Sequence, residues 1–176
     1  MTSRFEPVRG ETEYEGKIFS VRSETFRHED GEEVTREIVR HRGAVGVVAH
    51  DGERIYLVRQ PREAVGSPDL LELPAGKLDV EGEEPLETAK RELAEEIGKA
   101  AAEWEHLTTF YTSPGFTDEE CHVYLATDLS DAAAETDEHE RIDIEARPLS
   151  ELDALIDEAR DSKTLIGLLE LRRRLG

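Results

Sequence analysis

Gly76-Lys77-Leu78-Asp79-Val80-Glu81-Gly82-Glu83-Glu84-Pro85-Leu86-Glu87-Thr88-Ala89-Lys90-Arg91-Glu92-Leu93-Ala94-Glu95-Glu96-Ile97-Gly98 reads as a loop running into a helix. Pro85 suits the first helical turn, where a missing N–H loses no partner. Gly98 suits the left-handed residue that ends a helix. The spacing predicts a helix over 85–97, with Leu86, Ala89, Leu93 and Ile97 on one face. Beside that face stand Glu92, Glu95 and Glu96 at i, i+3 and i+4, within roughly a 100° arc. Like charges at these spacings repel by about 0.2–0.5 kcal/mol per exposed pair. They also crowd the negative end of the helix dipole. Arg91 can pair with Glu95 but cannot neutralise all three. Two readings stand: a solvated acidic face, or a divalent-cation site. Hard oxygen ligands from one helical turn suit Mg²⁺ or Mn²⁺, and such an ion accepts phosphate oxygens as further ligands. Upstream, Leu73-Pro74-Ala75-Gly76-Lys77 brings a strand end into a tight loop. Glycine allows close backbone approach there, so a backbone carbonyl could complete the coordination.

Outward from this helix the chain reads as strands with few helices. Lys17 to His28 and Glu33 to His41, joined through Glu29-Asp30-Gly31, predict a hairpin. The apolar run Ala44 to Ala49, the turn Asp51-Gly52 and Ile55 to Val58 predict a second hairpin, more deeply buried. Leu70 to Leu73, Trp104 to Tyr111, Cys121 to Thr127 and Ile142 to Arg147 are further strand candidates. Two helices are expected near the end, at about 150–159 and 162–174. The pattern indicates an α/β or α+β sandwich. Trp104 reads as core, the six histidines as ordinary strand and loop residues, and Arg172-Arg173-Arg174 as a solvated helix end. Residues 131–139 read as an acidic surface loop, from which Glu138 and Glu140 could reach a pocket.

The chain has 176 residues, with 22 Lys plus Arg against 42 Asp plus Glu and a net charge of −20. That length suits one sizeable core. The charge disfavours a free-standing nucleic-acid binder, which neutralises phosphates. Seventeen of the basic residues are Arg and five are Lys. An acidic surface with little Lys suits a salt-rich, halophilic cytoplasm, where screening relieves self-repulsion. The global charge therefore says nothing about a site. No apolar run approaches the roughly 20 residues of a membrane span. Met1-Thr2-Ser3-Arg4-Phe5-Glu6-Pro7 lacks the apolar stretch of a secretory leader. The single cysteine, Cys121, excludes an internal disulfide framework and a Cys-rich zinc site. The expectation is a cytoplasmic protein with neither nucleic-acid nor membrane partners.

The segment from Gly76 through Glu83 to Arg91-Glu92-Leu93-Ala94-Glu95-Glu96-Ile97-Gly98 resembles the signature of the Nudix hydrolases. Six residues rather than five separate Gly76 from Glu83, which predicts a one-residue bulge in the loop. Lys99 takes a place that is usually aliphatic. Within the family the chain resembles the ADP-ribose pyrophosphatase branch over roughly residues 14 to 170. Three stretches carry this likeness: Arg36-Glu37-Ile38-Val39 before Gly43-Ala44-Val45; Leu57-Val58-Arg59-Gln60-Pro61-Arg62 leading to Leu71-Glu72-Leu73-Pro74-Ala75-Gly76-Lys77; and Phe110-Tyr111-Thr112-Ser113-Pro114-Gly115-Phe116-Thr117-Asp118-Glu119. Pro61 stands where branch members often have an aromatic residue.

The resemblance implies a Nudix-type α/β/α sandwich with a mixed sheet (residues 43–176) and an N-terminal antiparallel strand subdomain (1–42) that builds a homodimer. It implies hydrolysis of ADP-ribose to AMP and ribose 5-phosphate with Mg²⁺ or Mn²⁺. Glu92, Glu96 and the Ala75 carbonyl would be metal ligands, with Glu95 a ligand or close behind one. Arg91 would orient the glutamates, between Gly76 and Gly98 as structural glycines. Glu119 would be the general base or a further ligand, with Glu120 the alternative. Arg36 and Arg62 would contact substrate phosphate or ribose, Glu37 and Glu72 would receive ribose or adenine donors, and Arg36 or Glu37 would be presented across the dimer interface. Other nucleoside diphosphate sugars or dinucleotides, or a non-catalytic nucleotide-binding regulator, remain alternatives.

Overall fold

The computed structural model describes residues 4–133 and 141–176. Glu138, His139 and Glu140, named above for the acidic loop, lie outside the described residues. The chain divides into two compact units: residues up to Gly43 together with Tyr111–Glu120, and Ala44–Phe110 together with Cys121–Gly176.

The first unit is a three-stranded antiparallel sheet of β1 (Phe5–Glu15), β2 (Phe19–His28) and β3 (Glu33–His41), in that order. The β2–β3 hairpin expected from the sequence is present. Gly31 turns it at φ 87°, and the Asp30 carboxylate accepts the Glu32 N–H at 3.0 Å. Such a φ favours glycine, which has no Cβ to clash. Buried Thr25 faces Thr35 across the hairpin, hydroxyl to hydroxyl at 3.0 Å. Strand β1 carried no signal in the sequence because it is exposed along its whole length. Without a buried face there is no alternation to read. Pro7 sits at a register irregularity in β1, where a residue without an N–H is tolerated. The segment 111–120 is stitched to β3. The Val39 N–H donates to the Phe116 carbonyl at 2.8 Å, and the Asp118 carboxylate accepts from the His41 N–H at 2.9 Å and from Arg40 at 3.0 Å.

The second unit contains β4 (Ala44–His50), β5 (Arg54–Arg62), β6 (Ser67–Glu72), β7 (Ala75–Lys77), α1 (Pro85–Ile97), β8 (Lys99–Tyr111), β9 (Glu120–Asp131), β10 (Asp143–Pro148), α2 (Leu152–Glu158) and α3 (Ser162–Leu175). Short 3-10 turns lie at Glu63–Val65 and Leu149–Glu151. The sheet order is β10-β5-β4-β9-β8, with β6 paired to β5 and β7 to β4. β4 runs parallel to β9 and antiparallel to β5 and β7, so the sheet is mixed. Val45, Val47 and Ala49 join Ala89, Leu93 and Ile97 of α1 in one core cluster. Val48 on the opposite face joins Leu155, Leu168 and Leu171 of α2 and α3 in the other. Burial on both faces explains why β4 reads as a continuous apolar run. The α/β/α sandwich is thereby established. Full burial of a side chain such as Leu93 contributes about 1.5–3 kcal/mol.

Two local devices set the approach of these layers. Gly167 lets α3 press onto the sheet, since an added Cβ would lie 2.6 Å from Leu73 Cδ1 and 2.9 Å from Val48 Cγ2. In the β4–β5 turn the Asp51 carboxylate accepts the Arg54 and Glu53 N–H groups and the Tyr56 hydroxyl. Those bonds draw its pKa down to about 2. β8 begins earlier than expected, at Lys99, where Lys99 pairs with Asp131 and the Gly98 carbonyl accepts the Ala132 N–H. The predicted helix over 150–159 becomes a 3-10 turn followed by α2.

Candidate active site

Helix α1 is built as its sequence requires. Pro85 opens it and Gly98 ends it at φ 64°, its N–H donating to the Ala94 carbonyl. In the loop before it, Gly82 takes φ 80°, a conformation that favours glycine. The Glu83 carboxylate then accepts from the Thr88 hydroxyl at 2.7 Å and from Arg91 at 3.2 Å. Arg91 and Thr88 hold that carboxyl below the usual range.

The carboxylates at the far end of α1 have partners within the fold. Arg91 Nη1 donates to Glu92 Oε1 at 2.8 Å and to Glu95 Oε2 at 2.9 Å. Burial pulls the guanidinium down, but Glu83, Glu92 and Glu95 hold it above the ordinary arginine range. Buried Glu96 accepts the Ala75 N–H at 2.9 Å. The crowding inferred from spacing alone is thus relieved more fully than one i,i+4 pair allows. Among the described residues, no three His, Cys, Asp or Glu side chains are already gathered as an ion centre.

The residues nevertheless fit a divalent ion by their chemistry and their spacing. Each carboxylate oxygen carries two lone pairs, so a hydrogen-bonded carboxylate can still ligate an ion. The set is hard oxygen throughout, as Mg²⁺ and Mn²⁺ prefer. β7 approaches α1 so closely that a Cβ added at Gly76 would lie 2.1 Å from Glu92 Cδ and Oε1. The Ala75–Gly76 backbone and the Glu92 and Glu96 carboxylates therefore meet at one place.

A second charged cluster lies in the same unit. Arg62 donates through Nε to Glu72 Oε1 at 2.5 Å and through Nη2 to Oε2 at 2.9 Å. Lys163 also donates to Glu72 Oε2. Glu72 is 1% exposed and engaged on both oxygens, so it is not presented to substrate donors as expected; it holds cations instead. Burial pushes its carboxyl up, but Arg62 and Lys163 outweigh burial and hold it below the usual range. Glu72 bonding first, then the charges of Asp161 and Glu96, keeps Arg62 above its ordinary value despite burial. Pro61 falls in a register irregularity between Gln60 and Arg62, so it costs β5 no regular ladder bond.

In the first unit Arg36 lines a cleft of about 340 Å³ with Phe26, Phe116, Arg40 and Asp118. It makes no carboxylate pair among the described residues; its one bond is to the Thr35 carbonyl. Consecutive strand residues alternate faces, so Glu37 projects away from that cleft and does not join Arg36. Glu119 accepts from the Thr112 hydroxyl at 2.7 Å and stands 3.4 Å from His41 Nδ1. Its loop is thus held on β3 rather than hanging free. Glu120 begins β9. Sequence reasoning missed Lys163 and Thr164. The available signal was Asp161, a capping residue before the predicted helix, which seats both side chains at its first turn.

The family model of the NUDIX domain matches residues 40–168. The chain is 46% identical over 141 residues to an ADP-ribose pyrophosphatase of Mycobacterium tuberculosis, covering 80% of this chain and 68% of that protein. It is 40% identical over 169 residues to an ADP-ribose pyrophosphatase of Bacillus subtilis, covering 92% and 90%. It is also 40% identical over 170 residues to a methanol dehydrogenase activator of Bacillus methanolicus, covering 94% and 91%. A crystal structure of an ADP compounds hydrolase superposes with a TM-score of 0.85 at 24% identity, over 98% of this chain and 94% of that one, and shows the same fold.

Proposed function

The chain belongs to the Nudix hydrolase family, and from that premise we propose that it cleaves ADP-ribose with water to give AMP and ribose 5-phosphate. The observation that carries this reading is the meeting of Ala75, Gly76, Glu92 and Glu96 at the end of α1. The likeness to ADP-ribose pyrophosphatases supports the choice of substrate. Nudix hydrolases require a divalent metal, and Mg²⁺ or Mn²⁺ suits these ligands. Glu92, Glu96 and the Ala75 carbonyl would hold it, with Glu95 beside them. When bound, such an ion neutralises diphosphate charge and acidifies water.

The chain's own residues supply the rest. Arg62 meets a phosphate oxyanion with a fork-shaped donor set. Arg36 serves the nucleotide from its cleft. Arg91 fixes the Glu92 and Glu95 rotamers. Glu119, with Glu120 as the alternative, accepts the proton of the attacking water.

We place the enzyme in the cytoplasm, where its nucleotide substrate is met; among the described residues no helix is long and apolar enough to cross a membrane. We also propose a homodimer built by the N-terminal sheet. The exposed edge strand β1 and the exposed Phe5, Tyr14 and Ile18 support it, because unpaired edges and apolar surface favour association. Light scattering should return twice the chain mass, and a fully active monomer would overturn this part.

A substrate panel tests the activity: ADP-ribose, a GDP-sugar and a dinucleotide, each with Mg²⁺ or EDTA, at low and high salt. The expected result is release of AMP from ADP-ribose with Mg²⁺ and none with EDTA. Preference for a sugar nucleotide lacking adenine, or cleavage of nothing, would overturn it.

A further inference from the structure

Four consecutive residues leading into the site are each held from outside their own segment. Lys163 bonds the Glu72 carboxylate, and the Thr164 hydroxyl accepts the Leu73 N–H at 2.9 Å. The Pro74 carbonyl accepts the Val47 N–H at 2.8 Å, and Glu96 accepts the Ala75 N–H. Two of these four anchors come from the first turn of α3. Asp161 organises that turn: its Oδ2 accepts the Thr164 N–H at 3.0 Å and the Thr164 hydroxyl at 2.7 Å, and lies 3.0 Å from Lys163 Nζ.

The Lys163 side chain is 14% exposed, and Arg62 on the other side of Glu72 is 42% exposed. Arg62 uses Nε and Nη2 on Glu72, and among the described residues nothing bonds its Nη1. The guanidinium is therefore anchored on two nitrogens with a third donor group to spare. A buried carboxylate left with too little positive charge is costly, so it holds any remaining cation more tightly. Sharing Glu72 with Lys163 spares Arg62 that demand.

We propose that Lys163 is a positioning residue, acting through Glu72 to fix the pose in which Arg62 meets the substrate diphosphate. This rests on the substrate role assigned above to Arg62. Lys163 itself touches no substrate; its effect passes along Lys163–Glu72–Arg62.

The test is a double-mutant cycle with K163M and R62A, with K163R as the conservative variant. K163M should raise KM for ADP-ribose about tenfold with kcat within about twofold of wild type, the size expected for a charged hydrogen-bonding group. K163R should stay within about threefold of wild type, because the cation is kept. R62A/K163M should be no worse than R62A, since the effects share one route. A merely structural Lys163 would instead lower kcat/KM by the same factor in both backgrounds, and that result would overturn the proposal. The Arg62 Nε–H resonance of ¹⁵N-labelled protein gives a readout independent of activity: K163M should shift it and speed its exchange, and K163R should preserve it. A resonance unchanged in K163M would overturn the proposal. If the wild-type protein leaves ADP-ribose intact, the substrate reading fails by itself, and the resonance still decides the role of Lys163.

Discussion

Glu96→Gln should lower kcat for ADP-ribose by about 10³-fold, the upper size seen when one preorganised group is removed from a reacting centre. Glutamine keeps the length of the side chain and a carbonyl oxygen. It can still accept the Ala75 N–H that Glu96 accepts at 2.9 Å. What it loses is the negative charge, and with it the strength of a hard ligand for a divalent ion. The thermal midpoint should stay near that of the wild type, because buried Glu96 keeps its backbone bond. KM should change little. Steady-state kinetics beside a melting curve separates the two roles. A variant that melts like the wild type and turns over like the wild type would remove Glu96 from the chemistry.

Gly76→Ala should damage activity far more than its size suggests. A Cβ there would meet Glu92 Cδ and Oε1 at 2.1 Å and Cγ at 2.3 Å, distances that cannot persist. Either Glu92 leaves its place beside Arg91 or β7 moves off α1. Both outcomes displace the Ala75 carbonyl relative to the α1 carboxylates. A displacement of about 1 Å costs about 10²-fold in rate; stability falls little where the flexible Glu92 side chain swings aside, and by about 1–3 kcal/mol where β7 moves instead. The double variant Gly76→Ala with Glu92→Ala removes the collision. Its melting temperature should recover relative to Gly76→Ala alone while its activity does not. A Gly76→Ala enzyme with native kcat/KM would show that the close approach of β7 and α1 is not needed.

Helix α1 was legible to the residue, because a proline start, a glycine stop and an apolar stripe all point to one segment. The run Ala44–Ala49 was legible for a related reason: a strand covered on both faces leaves a continuous apolar signature. β1 was not, since an edge strand exposed throughout has no pattern of burial to encode. β7 was not, because three residues, one of them glycine, form a strand only by pairing with β4. The site divides in the same way. The carboxylates of α1 follow from helical spacing. The partners that calm them do not, because the Ala75 N–H comes from another element. Glu72 was placed by resemblance as a receiver of substrate donors, whereas Arg62 and Lys163 occupy it; Lys163 lies 91 residues away in the chain, beyond any local signal.

Binding of Mn²⁺, followed by the electron paramagnetic resonance of the free ion, tests the metal site itself. High salt screens the acidic surface and suppresses diffuse binding there. The wild-type protein should take up the ion, and Glu96→Gln should weaken that uptake by at least about tenfold, no less than loss of a group that merely orients a ligand. Identical Mn²⁺ isotherms for the two proteins would contradict the assignment of the α1 carboxylates as the place where the ion is held.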